Sequence, residues 1–221
     1  MWCIGALTEE YRCRMYSLLE LYARPLSRSE PVICIDEKSL QLIGDSRVGL
    51  PMAPRSPAKQ DYEYVRNGTT NLFVAVEPKA GKRVVSVTEH RGKTDFVAFI
   101  GELLTGAYAK ARRIHLVLDN LNTHFAKSFI EAFGAEQAAL VLARLAFHYT
   151  PKHASWLNQV ELWFGKIERD VIARGVFTSV SDLKRKLVRY IRHYNKSPRT
   201  VKWKYANPSR HISPKSVVTG H

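Results

Sequence analysis

The sequence predicts an α/β domain, a mixed sheet with helices on its faces. Three observations lead there. Short apolar runs rich in valine, isoleucine and leucine mark buried strands. Apolar residues at three- and four-residue spacing mark amphipathic helices. Their order along the chain is β-β-β(-β)-α-β-α-β-α-α, so neighbouring antiparallel strands come first and alternating strands and helices follow. With 221 residues, 45% of them hydrophobic, the chain has material for one ordinary domain with an appendage, or for two small ones, and is too apolar to stay disordered.

Each element has its own signal. Residues 8–23, TEEYRCRMYSLLELYA, read as a lead-in helix capped by Thr8, with Glu9 and Glu10 in its first turn and Pro25 as its stop. PVICIDEKSLQLIG is a strand between Pro31 and Gly44, and its apolar run from Val32 to Ile35 closes on two acids, Asp36 and Glu37. Pro51, Pro54 and Pro57 make residues 45–60 a loop. DYEYVRN, TTNLFVAVEP and GKRVVSVTEH are β-rich, and Asn67-Gly68 and Ala80-Gly81 separate them as hairpin turns, which predicts three antiparallel strands. Residues 93–111 have helical spacing through Phe96, Phe99, Ile100, Leu103 and Leu104. RRIHLVLDN is a second buried strand ending in an acid, Asp119. Residues 124–145 are mostly helical with a break near Gly134, and LAFHYTP is a short strand ending at Pro151. A helix with the stripe Leu157, Val160, Phe164, Ile167 and Val171 follows, then a second amphipathic helix, SVSDLKRKLVRYIRHYN, capped by Ser179 or Ser181. These elements divide into a lead-in helix and linker (1–30), a main domain (31–178) and a basic helix and tail (179–221).

Composition narrows the function. Net charge is +14, and from residue 162 onward 14 Lys and Arg face 3 Asp and Glu, so most of the excess lies in the last quarter. A basic face of that strength favours a polyanion, most simply nucleic acid. The three cysteines, Cys3, Cys13 and Cys34, form no CxxC pair and predict neither a disulfide framework nor a zinc knuckle. No apolar run approaches a membrane span and the first residues lack a secretory pattern, so the expected location is the cytoplasm, with no membrane partner.

The chemistry lies in three acids. If the strands ending at Asp36 and Asp119 are parallel neighbours, both carboxylates reach the same end of the sheet, where functional groups of open α/β sheets collect. Two carboxylates that close repel unless a proton or cation sits between them, and a hard divalent cation is the natural partner. Glu161 lies beside an apolar helix stripe, with Asn158 three residues before it and Gly165 four after it, on one helical face. Three carboxylates from two strands and a helix suit a two-metal centre. Each acid alone has a plainer reading: a turn residue for Asp36, a polar turn for Asp119 with Asn120, an ion pair with Lys166 or Arg169 for Glu161. Their order and placement together make the signal specific.

The stretches ICIDEKS, LVLDNLNTH and HYTPKHASWLNQVELWFGKI closely resemble the three acidic blocks of bacterial insertion-sequence transposases of the mariner-like superfamily, most of all the insertion-sequence-six-thirty group with its DDE endonuclease domain. The resemblance covers roughly residues 15–200. It implies a ribonuclease-H-like fold, a mixed five-stranded sheet with helices on both faces. It also implies Mg²⁺-dependent cleavage of DNA at transposon ends and strand transfer into target DNA. Asp36, Asp119 and Glu161 then become the metal-binding catalytic triad, holding two Mg²⁺ ions for which Mn²⁺ can substitute. Glu37, Asn120, His124 and Asn158 fall beside them. Lys152 and His153 match DNA-contacting positions. Lys166, the basic helix with Lys184, Arg185, Lys186, Arg189 and Arg192, and the tail with Lys202 and Lys204 are the expected phosphate contacts. The implied partner is double-stranded DNA, both transposon end and target, bound by a homodimer at the bacterial nucleoid.

Two departures from the family stand out. Asp119 and Glu161 lie farther apart than in mariner-like relatives, and SFIEAFGAEQAALVLARL is the expected insert. No helix-turn-helix region precedes Glu30, so a separate helix-turn-helix polypeptide from an upstream reading frame is the expected source of end recognition. The competing expectations are a ribonuclease-H-like nuclease without strand transfer and a non-catalytic DNA-binding remnant. A phosphotransferase is disfavoured, because no GxxxxGK[ST] loop occurs.

Overall fold

A computed structural model describes residues 8–45, 47, 49–58, 63–119, 127–173 and 175–200. Five strands, β1 (Val32–Asp45), β2 (Tyr64–Glu77), β3 (Lys82–Thr88), β4 (Ile114–Leu118) and β5 (Leu145–Tyr149), form one sheet in the order β3-β2-β1-β4-β5. β1, β2 and β3 meander antiparallel, while β4 runs parallel to β1 and β5 parallel to β4. The helices are α1 (Glu9–Ala23), α2 (Lys93–Thr105), α3 (Lys127–Phe133), α4 (Ala135–Ala143), α5 (Val160–Ile167) and α6 (Val180–Tyr194).

Alternation along the strands sends side chains to two cores. Cys34, Leu40, Leu72, Val74 and Val117 face α1, α5 and α6, together with Leu18, Val160, Trp163 and Leu187. Ile33, Ile35, Phe73, Ala75, Leu116 and Leu118 face α2, α3 and α4, together with Phe96, Phe99 and Phe129. Helices therefore cover both faces, as the sequence predicts. The expected insert becomes α3 and α4, broken at Gly134 with φ +78°, and it packs on the second core. It thus lengthens the chain between Asp119 and Glu161 on the face away from α5.

Three expectations are corrected. The strand expected between Pro31 and Gly44 is β1, but Asp36 and Glu37 do not stand at its end, because β2 pairs with it on to Asp45. Only the parallel pairing with β4 stops early, at Cys34 opposite Val117. Asn67-Gly68 is not a hairpin turn. β2 continues through it, and the register jumps from Leu42–Gly68 to Ile43–Arg66, leaving Asn67 as the extra residue of a bulge. Gly68 takes φ +117°, and Asn67 donates a side-chain hydrogen bond to the Phe177 carbonyl at 3.3 Å. Helix α2 stops at Thr105 rather than near residue 111, although Tyr108 and Ala111 still enter the core.

Caps and clamps fasten the helices. Thr8 accepts a hydrogen bond from the Tyr11 amide to start α1, and Ser179 accepts one from the Asp182 amide to start α6. The buried Arg83 guanidinium lies over Trp163 of α5 and Tyr194 of α6, 4.7 and 5.2 Å from their ring centres. At the end of α6 the Asn195 side chain takes both backbone groups of Arg83. Its oxygen accepts from the amide at 3.0 Å, and its nitrogen donates to the carbonyl at 2.7 Å.

Candidate active site

The β1–β4 register builds the site. Cys34 pairs with Val117, so two residues further on each strand Asp36 and Asp119 stand at the same level. By alternation both point to the face of Cys34 and Val117, the face covered by α5. Glu161, in the first turn of α5, comes to that face from above. Glu37 alternates to the opposite face, and what it offers Asp36 is its backbone amide, donating to Oδ1 at 2.8 Å.

Packing fixes how α5 meets the strand. Asn158 is fully buried. Its Nδ2 donates to the Ile35 carbonyl at 3.0 Å, and its Oδ1 accepts from the Val160 amide at 3.4 Å. It therefore ties the start of α5 to β1 one residue before Asp36, just past the point where β4 stops pairing. The expected shared helical face of Asn158 and Glu161 does not occur. Asn158 precedes the helix, after a 3-10 turn at Ser155–Leu157, and points inward while Glu161 is exposed. Gly165 faces open space, and a β-carbon added there would meet nothing within 4 Å. From α1, the Tyr22 hydroxyl donates to the Leu157 carbonyl at 2.8 Å and steadies the same turn.

Electrostatics tie the acids together. Asp36 is buried, and burial first, then the negative charges of Asp119, Glu37 and Glu161, push its carboxyl up to about 8, against the pull of the Glu37 amide. Burial and Asp119 also raise Glu161, and the Lys38 ammonium opposes them. The plainer reading of Glu161 as an ion-pair residue does not hold. Lys166 binds Asp170 at 2.6 Å, Arg169 leans on Asp170 at 3.5 Å, and Lys38 binds Glu168 at 2.8 Å. Repelling carboxylates with only oxygen donors are the donor set of a hard divalent cation, so the residues fit Mg²⁺ or Mn²⁺ in chemistry. Among the described residues no three His, Cys, Asp or Glu side chains stand close enough to ligate a common ion.

Two residues that the sequence alone does not single out belong to the site. Thr150, buried at the end of β5, donates to Asp119 Oδ1 at 3.1 Å; its place directly before Pro151 at a strand end is the signal. Lys38 lies two residues beyond Asp36 on the same face, which the strand period alone indicates.

The loop after β5 carries Lys152, His153 and Trp156, all exposed. His153 adopts φ +61°, left-handed backbone that costs a non-glycine residue about 1–3 kcal/mol. Along α6, Lys184, Arg185, Arg189, Arg192, His193 and Lys196 line an open recess of about 710 Å³ with Ser181 and Val188. Lys186 is turned away from it. Its ammonium binds Asp182 and the Val176 carbonyl, both at 2.7 Å, and lies over the Phe177 ring. Arg185 lines the recess while holding Asp182 at 2.6 Å. Asn120, His124, Lys202 and Lys204 lie outside the described residues.

A family model described as DDE superfamily endonuclease matches residues 31–184, more than half of the chain. Solved structures share the fold at low identity. A structure of the Mos1 strand transfer complex is 17% identical with a TM-score of 0.55, over 87% of this chain and 57% of that one. A mariner Mos1 paired-end complex with Mg is 17% identical with a TM-score of 0.59, over 90% and 59%. A pre-cleavage Mos1 transpososome is 15% identical with a TM-score of 0.57, over 87% and 58%. This chain thus spans less than two thirds of the length of those it matches. No curated protein matches it. No helix among the described residues is long and apolar enough to cross a membrane.

Proposed function

Given that the chain belongs to the DDE superfamily endonuclease family, we propose that it cleaves DNA phosphodiesters at the ends of a mobile element and joins the freed ends to target DNA. The observation that carries this reading is electrostatic: Asp119 and Glu161 both raise the proton affinity of Asp36, and Asp119 also raises that of Glu161, which supports the three acids sharing one end of the sheet. Asp36, Asp119 and Glu161 would hold two Mg²⁺, or Mn²⁺. When bound, such ions lower the pKa of an attacking water or 3′-hydroxyl and neutralise charge at phosphorus.

The chain's own residues do the positioning. Thr150 and the Glu37 amide orient the two strand carboxylates, and Asn158 sets the start of the helix that carries Glu161. Lys184, Arg189 and Arg192 present cations in one recess suited to a phosphate backbone, and the loop after β5 offers the Lys152 ammonium and the His153 ring to the same strand. Lys166 and Lys186 are engaged within the protein and serve the fold more than DNA.

The matched Mos1 structures are described as paired-end and strand transfer complexes. They support duplex DNA, both transposon end and target, as partner and a homodimer as the working form. End recognition would come from a separate helix-turn-helix polypeptide encoded in an upstream reading frame, and the setting would be the bacterial cytoplasm at the nucleoid.

The test is incubation with DNA carrying the element's ends, with and without Mg²⁺. Nicking that needs the metal and disappears in Asp119→Asn is the expected result. An Asp119→Asn variant that cuts as fast as the wild type ends the assignment. Products covalently joined to target DNA separate a transposase from a nuclease that only hydrolyses.

A further inference from the structure

Trp156 plays no part in the cleavage chemistry, and its position is unusual. Its side chain is 51% exposed, on a chain whose Trp163 is buried. The exposure does not come from a loose loop. Pro151, Ala154, Leu157 and Asn158 are buried on either side of it. The backbone closes successive turns, with the amides of Ala154, Leu157 and Asn158 donating to the carbonyls of Pro151, Ala154 and Ser155. Within this frame His153 is held in left-handed backbone, and Lys152, His153 and Trp156 are the side chains the loop turns outward with Ser155. The loop starts at Thr150, which holds Asp119, and ends at Asn158, three residues before Glu161. Leu162, the residue after Glu161, is also exposed, at 62%. An indole and an aliphatic side chain are thus displayed in water beside a cluster of acids, with two basic side chains on the same loop.

An indole on a rigid loop offers one flat apolar face. In a duplex the faces of the bases are covered by their neighbours, so such a face finds a base only where the stack is open. Resting on the DNA-cleaving reading of the adjacent acids, we infer that Trp156 is a stacking platform for an unpaired nucleobase next to the bond being cut, with Lys152 and His153 taking the flanking phosphates. Trp156 acts by holding the strand, and it places the phosphodiester without taking part in bond making. The preference it confers is for DNA whose strands are separated at the cut. Base–aromatic stacking tolerates any base, so it adds affinity for an open strand without adding sequence preference.

The experiment compares the full chain with Trp156→Ala and Trp156→Phe, without divalent metal. The probes are a short oligothymidylate and a mixed-sequence duplex of the same length. The alanine variant is expected to bind the oligothymidylate about 5- to 150-fold more weakly, the range for removal of one base–aromatic stack. Phenylalanine restores most of that affinity, and duplex affinity stays unchanged. Because Trp156 is exposed, both variants fold, which circular dichroism checks. Equal weakening on both probes, or none on the oligothymidylate, overturns the inference. So does a variant that changes from dimer to monomer in sedimentation, since the indole would then be covered by a second copy. Binding and cutting are separate readouts. A chain that needs Trp156 to bind the open strand yet cuts nothing overturns only the enzymatic reading, and one that cuts yet binds without regard to Trp156 overturns only this one.

Discussion

Replacing Asn158 with alanine tests how α5, the helix that carries Glu161, is attached to the sheet. The substitution leaves two buried backbone groups without partners, the Ile35 carbonyl and the Val160 amide. An orphaned buried group costs about 1–3 kcal/mol. The Ile35 bond is well formed at 3.0 Å and the Val160 bond is long at 3.4 Å, so one full penalty and one partial penalty are expected. That amounts to about 2–3 kcal/mol, or a fall in Tm of about 4–12 °C for a chain of this size. Urea unfolding measures the first quantity and a thermal melt the second. Asn158→Asp sharpens the argument. A carboxylate can still accept from Val160, but facing the Ile35 carbonyl in a buried place its folded-state pKa is raised. The stability of that variant is therefore greatest below the ordinary carboxylate pKa of about 4 and is lost as pH rises through the raised value. It should be less stable than Asn158→Ala at neutral pH and recover on acidification, when its O–H can donate to Ile35. An alanine variant within about 0.5 kcal/mol of the wild type, the scatter of ordinary surface substitutions, refutes the tether.

Three further outcomes follow from the same structure. Mg²⁺ or Mn²⁺ should raise the Tm of the wild type and not that of Asp36→Asn or Asp119→Asn, because ions stabilise only a folded state that holds them; an equal rise in all three rejects those ligands. Changing Lys184, Arg189 and Arg192 together to alanine should reduce the salt dependence of duplex binding by about 0.9 for each phosphate no longer neutralised, whereas Lys186→Ala should lower stability and leave that slope alone. His148 and His115 hydrogen-bond through Nε2 and Nδ1 at 2.9 Å. Burial first, and then His115 and Arg24, lower His148 to about 4, while burial, Arg24 and Arg113 lower His115 and Glu30 opposes them. A lowered histidine contributes stability above its unfolded pKa of about 6.5 that is lost as pH falls toward 4, and with solvent at the half-exposed ring this amounts to about 1–2 kcal/mol. Urea unfolding of wild type and His148→Phe across that window checks it, the variant showing the smaller loss.

Much of this fold is legible in the sequence because local and global signals agree. Thr8 and Ser179 cap the helices they precede, and Gly134 breaks the insert into two. The run from Val32 to Ile35 and the run from Ile114 to Leu118 read as buried strands because both of their faces are covered by helices. Asn67-Gly68 misleads for a physical reason. The same positive φ that permits a tight hairpin permits a bulge, and only pairing along the whole of β1 decides between them. Asp36 misleads similarly, since an acid after an apolar run resembles a strand end. The strand continues because β2 supplies hydrogen bonds after β4 has left. Level alignment of Asp36 with Asp119 depends on register, which no local pattern carries. The tasks of Asn158 and Thr150 depend on which atoms lie opposite them. The distinction between Lys184 and Lys186, two residues apart on one helix, rests on Asp182 and the Val176 carbonyl, which only the packed helix brings to one of them.

β3 is the outer strand on its side of the sheet, where backbone donors and acceptors commonly invite another chain to add itself. At Arg83 that invitation is already answered. The Asn195 carboxamide imitates a single residue of a sixth strand, and the guanidinium of the same Arg83 lies over the Trp163 and Tyr194 rings. A second copy of this chain is thereby steered away from extending the sheet at this point.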